Sequence, residues 1–422
     1  MDERKAGQPE TKSELAIDEP LAPLLANPRN SAVVYVDTVD GLFAAAEAIA
    51  EASGPLAIDA ERASGFKYSQ RAYLVQLMRP GTPIYLIDPI PLTGSDAMKK
   101  LAEVLAGLEW ILHAATQDLP CLAELGLRPG SLFDTELGSR LAALERVGLG
   151  AVVERFMGVR LAKEHSAADW SIRPLPKEWL NYAALDVDVL NELRDALATE
   201  LESQDKSEIA RQEFAHLLNF APKAPKADKW RGVSGIHLIR EQRTLAIIRS
   251  LWTRREEVAE RVDVSPGRLI PDSSIVAAAK ANPRSRSELA GLKDFNGRGS
   301  RTFIDEWWAA IQDGAATRDL PPVRAEATGI PNHKSWATRF PEADARLRIA
   351  RAVVERIAKE FNVPTENLIS PDPIRQLCFE PRGLDYDSIV GQLRDLSVRQ
   401  WQLEAIAQPL ADALNAPAPV EA

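Results

Sequence analysis

The chain has 422 residues, of which 45% are hydrophobic, and its net charge at pH 7 is −10. This length predicts about two to three domains, and the apolar fraction excludes an intrinsically disordered chain. No apolar run reaches the roughly 18 residues of a membrane-spanning helix, and the first residues lack the apolar segment of a secretory signal. The two cysteines, Cys121 and Cys378, are far apart, which excludes a disulfide scaffold and leads us to expect a cytoplasmic protein.

The first part of the chain alternates between strand and helix patterns. Residues 1–30 are polar and rich in Pro, which predicts a disordered tail. From there to residue 218 the alternation predicts an α/β domain with a mixed sheet flanked by helices, because Arg79-Pro80-Gly81-Thr82 is typical of a hairpin turn. The predicted strands are 32–36, 56–59, 73–78, 84–87 and 110–113, and the predicted helices are 42–49, 119–125 and 175–202.

Strand patterns end at a Pro- and Lys-rich linker, residues 219–231. We therefore expect two small all-α domains, at 232–320 and 330–415, separated near Leu320-Pro321-Pro322. The segment Arg261–Ile275 resembles Glu360–Ile374 at a constant offset, with Val264, Leu269, Ile270 and Ile275 matching Val363, Leu368, Ile369 and Ile374. The two helical domains are thus predicted to be copies of one module, which is too few copies for a solenoid.

Charge also separates these domains. Residues 221–320 contain 18 Lys and Arg against 13 Asp and Glu, whereas the whole chain contains 51 against 61. A modest basic excess is most often a solvated surface. It is nevertheless where a nucleic acid would bind, if this chain binds one.

Three short segments carry carboxylates that could perform chemistry. Asp59 and Glu61 end an apolar strand and face the same side, since strand side chains alternate. Asp118 begins a predicted helix after the strand at 110–113, and Tyr182 and Asp186 lie one turn apart on a helix. Taken singly, each has an ordinary explanation: a solvated strand end, a helix cap, or a half-buried Tyr beside a surface Asp.

Together, the three segments match a two-metal nuclease. Mg²⁺ and Mn²⁺ prefer oxygen ligands, and two such ions about 4 Å apart can promote attack by water and stabilise the leaving oxygen. Asp59, Glu61, Asp118 and Asp186 would supply the metal ligands. Tyr182 would supply a hydroxyl that orients the attacking water.

On these motifs, residues 31–218 resemble the DEDD family of 3′–5′ exonucleases, in particular ribonuclease D. Asp59-x-Glu61 is similar to its first motif, His113-Ala114-x-x-x-Asp118 to its second, and Tyr182-x-x-x-Asp186 to its third. Tyr182 places the chain in the tyrosine subgroup, since the histidine subgroup would have His where Asn181 stands. Leu269-Ile270-Pro271-Asp272-Ser273 resembles the helicase-and-ribonuclease-D C-terminal (HRDC) domain, and the last block resembles a diverged second copy.

The resemblance implies a 3′–5′ exoribonuclease with a ribonuclease H-like fold that uses two divalent ions, Mg²⁺ or Mn²⁺, and releases 5′-mononucleotides. It implies Asp59, Glu61, Asp118, Tyr182 and Asp186 as catalytic residues, the four acids being the metal ligands. The expected partner is the single-stranded 3′ end of a structured RNA such as a tRNA precursor, held by the HRDC modules through its backbone. DNA stays open as a partner, and neither a membrane nor a nucleotide cofactor is expected because no phosphate-binding loop is present.

One position departs from the family pattern. After Glu61 the family often has Phe, whereas this chain has Arg62. Both acids are kept, so the predicted metal ligands are unaffected. The loss of the aromatic ring changes how the terminal nucleotide would be held.

Several other residues could be functional, and for His113 we expect a structural role. His113 leads into the second motif, and the histidines as a group lack metal-ligand spacing. Asp88 and Asp134 follow predicted strands and could support the metal ligands, and Trp307-Trp308 is expected to pack in a helical core. For Arg240, Arg243 and Arg249 a phosphate-binding face and a solvated helix face are equally favoured.

Two other functions stay open at this point. A DNA 3′–5′ exonuclease of repair would have nearly the same active site. A catalytically silent nucleic-acid-binding adaptor is disfavoured by the presence of all four acids and Tyr182.

Overall fold

The computed structural model describes residues 22–29, 32–162, 167–222, 228–324 and 329–416. Most of the tail predicted to be disordered, residues 1–21, therefore lies outside the described residues, as do His165 and part of the predicted linker. Within the described residues, no helix is both long and apolar enough to cross a membrane.

The α/β part is built on a six-stranded mixed sheet, as predicted. The strand order is β2-β5-β4-β3-β6-β7, in which β3–β4 and β4–β5 are antiparallel and the other neighbours are parallel. The predicted hairpin is thus present as β4 and β5. The sheet strands are β2 (Val33–Val36), β3 (Leu56–Arg62), β4 (Ala72–Met78), β5 (Ile84–Ile87), β6 (Glu109–Leu112) and β7 (Ser131–Asp134), and a separate pair is formed by β1 (Leu24–Leu25) and β8 (Arg160–Leu161).

β3 lies inside this sheet, and its residues Leu56–Ile58 are fully buried. Helices cover the sheet, which buries the apolar side chains of both layers in one core. The helices of this part are α1 (Val39–Glu51), α2 (Asp96–Ala106), α3 (Leu119–Glu124), α4 (Thr135–Leu141), α5 (Leu149–Met157), α6 (Lys177–Asp188), α7 (Leu190–Ser203) and α8 (Ser207–Leu217).

The helix predicted over 175–202 is two helices. α6 ends at Asp188 and α7 begins at Leu190, with Val189 between them. No Gly or Pro marks this break, so the sequence pattern gave no signal for it. The consequence is local, because α6 still packs against β3, β4 and β5.

The end of the predicted tail has a defined structure, which corrects the prediction for residues 22–29. β1 pairs in parallel with β8, and Arg29 lies close to Asp188 (Nε–Oδ2 3.3 Å) and Glu192 (Nη1–Oε2 2.7 Å). These partners are far away in sequence. A local composition argument could not detect them.

The first helical block contains long and short helices around its own apolar core. Trp307 is fully buried there, which agrees with the packing role expected for it. Arg240, Arg243 and Arg249 each donate a hydrogen bond to a backbone carbonyl of the same block, so the structure favours internal contacts over a dedicated phosphate-binding face. The helices are α9 (Gln242–Val262), α10 (Pro266–Leu269), α11 (Asp272–Ala281), α12 (Arg286–Ala290), α13 (Arg298–Thr302) and α14 (Ile304–Ala316).

The second helical block also combines long and short helices. Its buried residues are continuous with the core of the α/β part. The chain between 330 and 415 is entirely helical and turn structure in the described residues, as predicted. Its helices are α15 (Trp336–Arg339), α16 (Pro341–Glu360), α17 (Thr365–Leu368), α18 (Pro371–Phe379), α19 (Tyr386–Asp395) and α20 (Gln400–Asn415).

The two blocks share the repeat found in the sequence. A long helix ends at a residue with a left-handed backbone, Asp263 (φ 47°) in the first block and Asn362 (φ 49°) in the second. In both, the next residue donates a backbone hydrogen bond five residues back, from Val264 to Ala259 and from Val363 to Ala358. This closure is a Schellman-type helix end, and a four-residue helix follows it in each block.

Both repeat turns contact the α/β part, but on different elements. Asp263 accepts a hydrogen bond from the backbone N–H of Ser69 (2.9 Å), in the loop that connects β3 to β4. The carbonyl of Asn362 accepts one from Lys206, immediately before α8 (2.8 Å). The first block is therefore attached to the loop that follows Asp59 and Glu61.

Candidate active site

The predicted site residues converge on one cavity. Asp59, Glu61, Asp118, Tyr182 and Asp186 all line a pocket of about 760 Å³. β3 supplies Asp59 and Glu61, the turn after β6 supplies Asp118, and α6 supplies Tyr182 and Asp186. The fold thus gathers on one surface three segments that are remote in sequence.

Three of the four acids form a tight cluster. One carboxylate oxygen from each of Asp59, Glu61 and Asp186 lies within 4.8 Å of the other two. Asp118 lies beside this cluster, within hydrogen-bonding reach of Asp59. The donor set consists of hard oxygen atoms, which suits a divalent cation such as Mg²⁺ or Mn²⁺.

Burial and mutual repulsion make this cluster electrostatically unfavourable in the absence of cations. Burial, followed by the charge of neighbouring carboxylates, raises the pKa of Glu61, Asp118 and Asp186 well above the usual range. Burial also raises the pKa of Asp59. A group of like charges in a poorly hydrated pocket is stabilised when cations bind between them.

Tyr182 keeps its proton in this environment. Burial and the nearby carboxylates, Asp186 first among them, raise the pKa of the phenol. Its hydroxyl is hydrogen-bonded to Asp186, one helical turn further along α6. The side chain therefore presents a neutral hydroxyl, held by the acid cluster, at the wall of the cavity.

Asp118 is placed by a strained turn that a buried carboxylate supports. Ala114 has a left-handed backbone (φ 65°), which costs energy for a residue other than Gly. Asp134 accepts hydrogen bonds from the N–H groups of Ala114 (3.0 Å) and Ala115 (2.8 Å), and also caps α4 through Glu136 and Leu137. Asp134 thus fixes the path of the chain into Asp118, a supporting role that its sequence position suggested without proving.

His113 also lines the cavity, and its hydrogen bonds determine its tautomer. Thr135 donates its hydroxyl hydrogen to the carbonyl of Leu112 (3.1 Å), so it must accept from Nδ1 of His113 (2.9 Å). Burial lowers the pKa of His113 to about 4. The imidazole is therefore neutral, with the proton on Nδ1, and the structural role predicted for it is supplemented by a position on the cavity wall.

Asp88, the other acid that could have supported the site, has a different function. Its carboxylate binds Arg173 (Nε–Oδ2 2.5 Å, Nη2–Oδ1 2.8 Å) and accepts from the hydroxyl of Tyr35 (2.9 Å). Arg173 in turn donates to the carbonyl of Tyr73 on β4. Asp88 therefore fastens the segment before α6 to the sheet.

Models of known families match three parts of the chain. Residues 33–202 match a model described as a 3′–5′ exonuclease, residues 244–311 match the HRDC domain, and residues 329–414 match a 3′ to 5′ exonuclease C-terminal domain. The fold and the acid cluster therefore define the class of protein as a 3′–5′ exonuclease. The second helical block, predicted as a diverged HRDC copy, is matched by a model of its own.

Individual relatives narrow the class. Ribonuclease D of Zymomonas mobilis is 30% identical over 270 residues, which cover 62% of this chain and 68% of the relative. The alignments with curated ribonuclease D proteins cover between 55% and 92% of those proteins. The chain belongs to the ribonuclease D family, which confirms the predicted 3′–5′ exoribonuclease.

Solved structures share the fold of this chain. A protein from Bifidobacterium adolescentis is 37% identical, with a TM-score of 0.85, and the match covers 94% of this chain and all of that one. Escherichia coli RNase D, described as an exoribonuclease involved in structured RNA processing, has a TM-score of 0.64 at 23% identity, covering 92% of this chain and 99% of that one. The second match confirms the predicted fold class.

Proposed function

We propose that this ribonuclease shortens RNA from a single-stranded 3′ end, one nucleotide at a time, by hydrolysis at the acid cluster. The observation that carries the proposal is the convergence of Asp59, Glu61 and Asp186 within 4.8 Å, with Asp118 and Tyr182 in the same cavity. Four carboxylates that share one cavity with a single arginine among the described residues are stabilised when metal ions bind between them. The family assignment and this chemistry point to the same reaction.

Asp59, Glu61, Asp118 and Asp186 would hold the ions, two of Mg²⁺ or Mn²⁺. Such ions supply positive charge that favours deprotonation of a water and stabilises the oxygen that leaves phosphorus. Tyr182 offers its neutral hydroxyl to orient that water in line with the bond to be broken. The phosphorus–O3′ bond breaks, a 5′-mononucleotide is released, and the new 3′ end of the RNA takes up a proton.

The open shape of the site suits an unpaired strand. The cavity of about 760 Å³ can accept a terminal nucleotide, while a duplex end would have to unpair before entering. We propose that the substrates are structured RNAs with a single-stranded 3′ tail, tRNA precursors among them. The helical blocks would add backbone contacts, and this contribution should fall as salt concentration rises.

The test is a labelled stem-loop RNA with a 3′ tail, incubated with Mn²⁺ or Mg²⁺ and, as control, with EDTA. We expect stepwise shortening that stops at the stem and requires the metal. Asp59→Asn and Asp186→Asn should each abolish hydrolysis while RNA binding persists, whereas Asp96→Asn, at an exposed acid paired with Lys99, should keep full activity. Full activity in either cluster variant would refute the site.

Tyr182→Phe tests the role of the hydroxyl separately from metal binding. We expect kcat to fall about a hundredfold, a typical loss for a positioned proton-handling group, with metal affinity unchanged. If metal affinity fell by the same factor as kcat, Tyr182 would act by holding Asp186 in place. A matched DNA oligomer in the same assay measures the preference for RNA.

A further inference from the structure

Arg62 is the cation of the candidate site. It lines the same cavity as the four acids and is the only Lys or Arg among the described residues that do so. Its Nη2 lies 3.5 Å from Oδ1 of Asp118, and its side chain is 27% exposed.

The local structure of β3 allows Arg62 to reach the acids. Strict alternation along a strand would point Arg62 away from the side that Asp59 and Glu61 share. The pairing of β3 with β4 shifts register between Glu61 and Arg62, at the end of the strand. A register shift of this kind bends a strand and redirects the side chain beside it.

The contact between Arg62 and Asp118 is loose. Charge-assisted hydrogen bonds between guanidinium and carboxylate groups have lengths of about 2.7–2.9 Å, which is well below the 3.5 Å found here. For comparison, Arg399 binds Glu213 with two contacts of 2.6 and 2.7 Å. Little energy is therefore lost when Arg62 moves away from Asp118.

One guanidinium cannot compensate four carboxylates. Divalent ions held by the cluster would give Asp118 a stronger partner and would neutralise the acids, which would weaken their attraction for Arg62. A guanidinium that lines such a site has a planar set of donors that matches the oxygens of a phosphate. The side chain of Arg62 can thus bind two anions in turn, first the carboxylate of Asp118 and then a phosphate.

We propose that Arg62 exchanges partners: it shields the acids of the metal-free protein and binds the phosphate of the 3′-terminal nucleotide once the ions are in place. The inference rests on the proposed function, since it assigns a substrate contact to the same cavity. It makes Arg62 a determinant of phosphate binding in this cavity. The two roles predict effects of opposite sign when the charge is removed.

The experiment uses full-length Arg62→Gln and two ligands, a divalent ion and a mononucleotide. Calorimetric titration of EDTA-treated protein with Mn²⁺ should show about three- to tenfold tighter binding in Arg62→Gln, because a competing cation is gone. In the presence of Mg²⁺, the variant should bind AMP about ten- to thirtyfold more weakly. Adenosine, which lacks the phosphate, should bind wild type and variant equally.

Two further variants separate charge from geometry. Arg62→Lys keeps the charge, so its Mn²⁺ affinity should equal that of wild type, while its AMP affinity should fall about threefold because the planar fork is lost. Arg211→Gln removes an exposed arginine from α8 that is paired with Glu208, and it should change neither ligand. Unfolding temperatures of all variants establish that they are folded.

Each result bears on the inference. Unchanged AMP affinity in Arg62→Gln, or an equal loss for AMP and adenosine, would overturn the phosphate contact. Unchanged or weaker Mn²⁺ binding would overturn the shielding role. If wild type binds Mn²⁺ and digests RNA while Arg62→Gln behaves like it in all assays, only this inference fails; if wild type does neither, the proposed function itself fails.

Discussion

Two groups of carboxylates, one buried and one half-buried, differ in how their charge is compensated. Glu213, on α8, is only 5% exposed, yet it receives Arg399 in two contacts (2.6 and 2.7 Å) and the indole N–H of Trp401 (2.7 Å). Asp59, Glu61 and Asp186 are clustered with each other, and their cavity offers one loosely placed arginine. The charge of the first group is compensated within the protein, whereas the charge of the second would be compensated by the divalent ions that we propose it binds.

This difference separates structural from functional acids better than burial does. Asp134 and Asp88 are buried as well, and each is satisfied, by backbone N–H groups and by Arg173 with Tyr35 respectively. A buried charge without sufficient partners costs stability and persists where function requires it. The comparison therefore predicts that mutations in the two groups change stability in opposite directions.

The largest stability effect is expected at Glu213. Glu213→Ala leaves the guanidinium of Arg399 and the indole N–H of Trp401 without their acceptor in a buried interface. We expect the free energy of unfolding to fall by about 3–5 kcal/mol, the usual cost of breaking one side of a buried ion pair. Urea denaturation followed by circular dichroism measures this change.

Glu208→Ala is the matched control for that experiment. Glu208 lies on the same helix and is paired with Arg211, but both side chains are exposed, so Glu208→Ala should destabilise the protein far less than Glu213→Ala does. Equal losses at Glu208 and Glu213 would break the distinction between a compensated buried acid and a surface acid. Activity at low temperature should be unaffected in both variants, because α8 contributes no residue to the cavity.

The next effect depends on pH and concerns His113. Burial lowers the pKa of His113 in the folded protein to about 4, from an ordinary value of 6.5. Between pH 4 and pH 6.5, His113 therefore binds a proton in the unfolded chain but not in the folded protein. Stability is therefore fully present above pH 6.5 and is lost as the pH falls towards 4. The loss attributable to His113 is about 2–3 kcal/mol.

His113→Gln isolates this contribution. Gln does not titrate and can still donate to Thr135, so the difference in unfolding free energy between wild type and variant should change between pH 6.5 and 4 in favour of the variant. The acids of the cavity titrate in both proteins and cancel in this difference. A difference that is constant with pH would show that His113 is protonated in the folded state.

Whether a contact of the acid cluster or of Glu213 can be predicted from the sequence depends on how far apart its residues lie along the chain. Alternation along β3 correctly placed Asp59 and Glu61 on one side, since a local periodicity decides it. The convergence of Asp118 and Asp186 with them came from resemblance to a family, because no spacing rule relates segments joined only by the tertiary fold. The compensation of Glu213 by Arg399 was not predicted, for the same reason.

Two local features also escaped the sequence analysis. The pairing of β1 with β8 involves strands of two residues, too short to show an alternating pattern. The position of Arg62 depends on a register shift between β3 and β4, which follows from how two strands meet and not from either strand alone. The resemblance to the exonuclease family identified Arg62 as a departure from the family pattern, and the structure showed that it lies beside Asp118.

A smaller effect, of the opposite sign, is expected in the acid cluster. Asp186→Asn removes one of the mutually repelling charges of the cluster and keeps a side chain that can hydrogen-bond to Tyr182. The metal-free protein should gain about 1–2 kcal/mol in stability, as is typical when a functional site is relieved of an unfavourable charge. Thermal unfolding in EDTA measures the gain.

The same variant should respond less to metal. Mn²⁺ should raise the unfolding temperature of wild type through binding to the folded state, and much less so that of Asp186→Asn. Asp96→Asn, at an exposed site, should behave like wild type in both conditions. Destabilisation of Asp186→Asn in EDTA would mean that its carboxylate is compensated within the protein, as Glu213 is, and would remove the contrast between the two groups.

The smallest effect is expected at Asp263, whose charge is compensated more than that of the acid cluster and less than that of Glu213. Its carboxylate is 31% exposed, lies 3.9 Å from Lys67 and 3.7 Å from Arg71, and accepts from the N–H of Ser69. Asp263→Asn keeps the acceptor and a residue that tolerates the left-handed backbone (φ 47°). Exposed ion pairs contribute little, so we expect a loss of at most about 0.5 kcal/mol in urea denaturation.

Asp263→Ala should have a larger effect than Asp263→Asn, because it also removes the acceptor for Ser69 and strains the left-handed backbone. We expect about 1–2 kcal/mol of destabilisation, and a fall in RNA hydrolysis that exceeds the fraction unfolded, since the released loop directly follows Glu61. The hydrolysis rate per folded molecule, measured at saturating Mn²⁺, tests whether the loss of activity exceeds the loss of folded protein. If that rate equals that of wild type, the first helical block does not constrain β3, and the stability of the acid cluster depends on the α/β part alone.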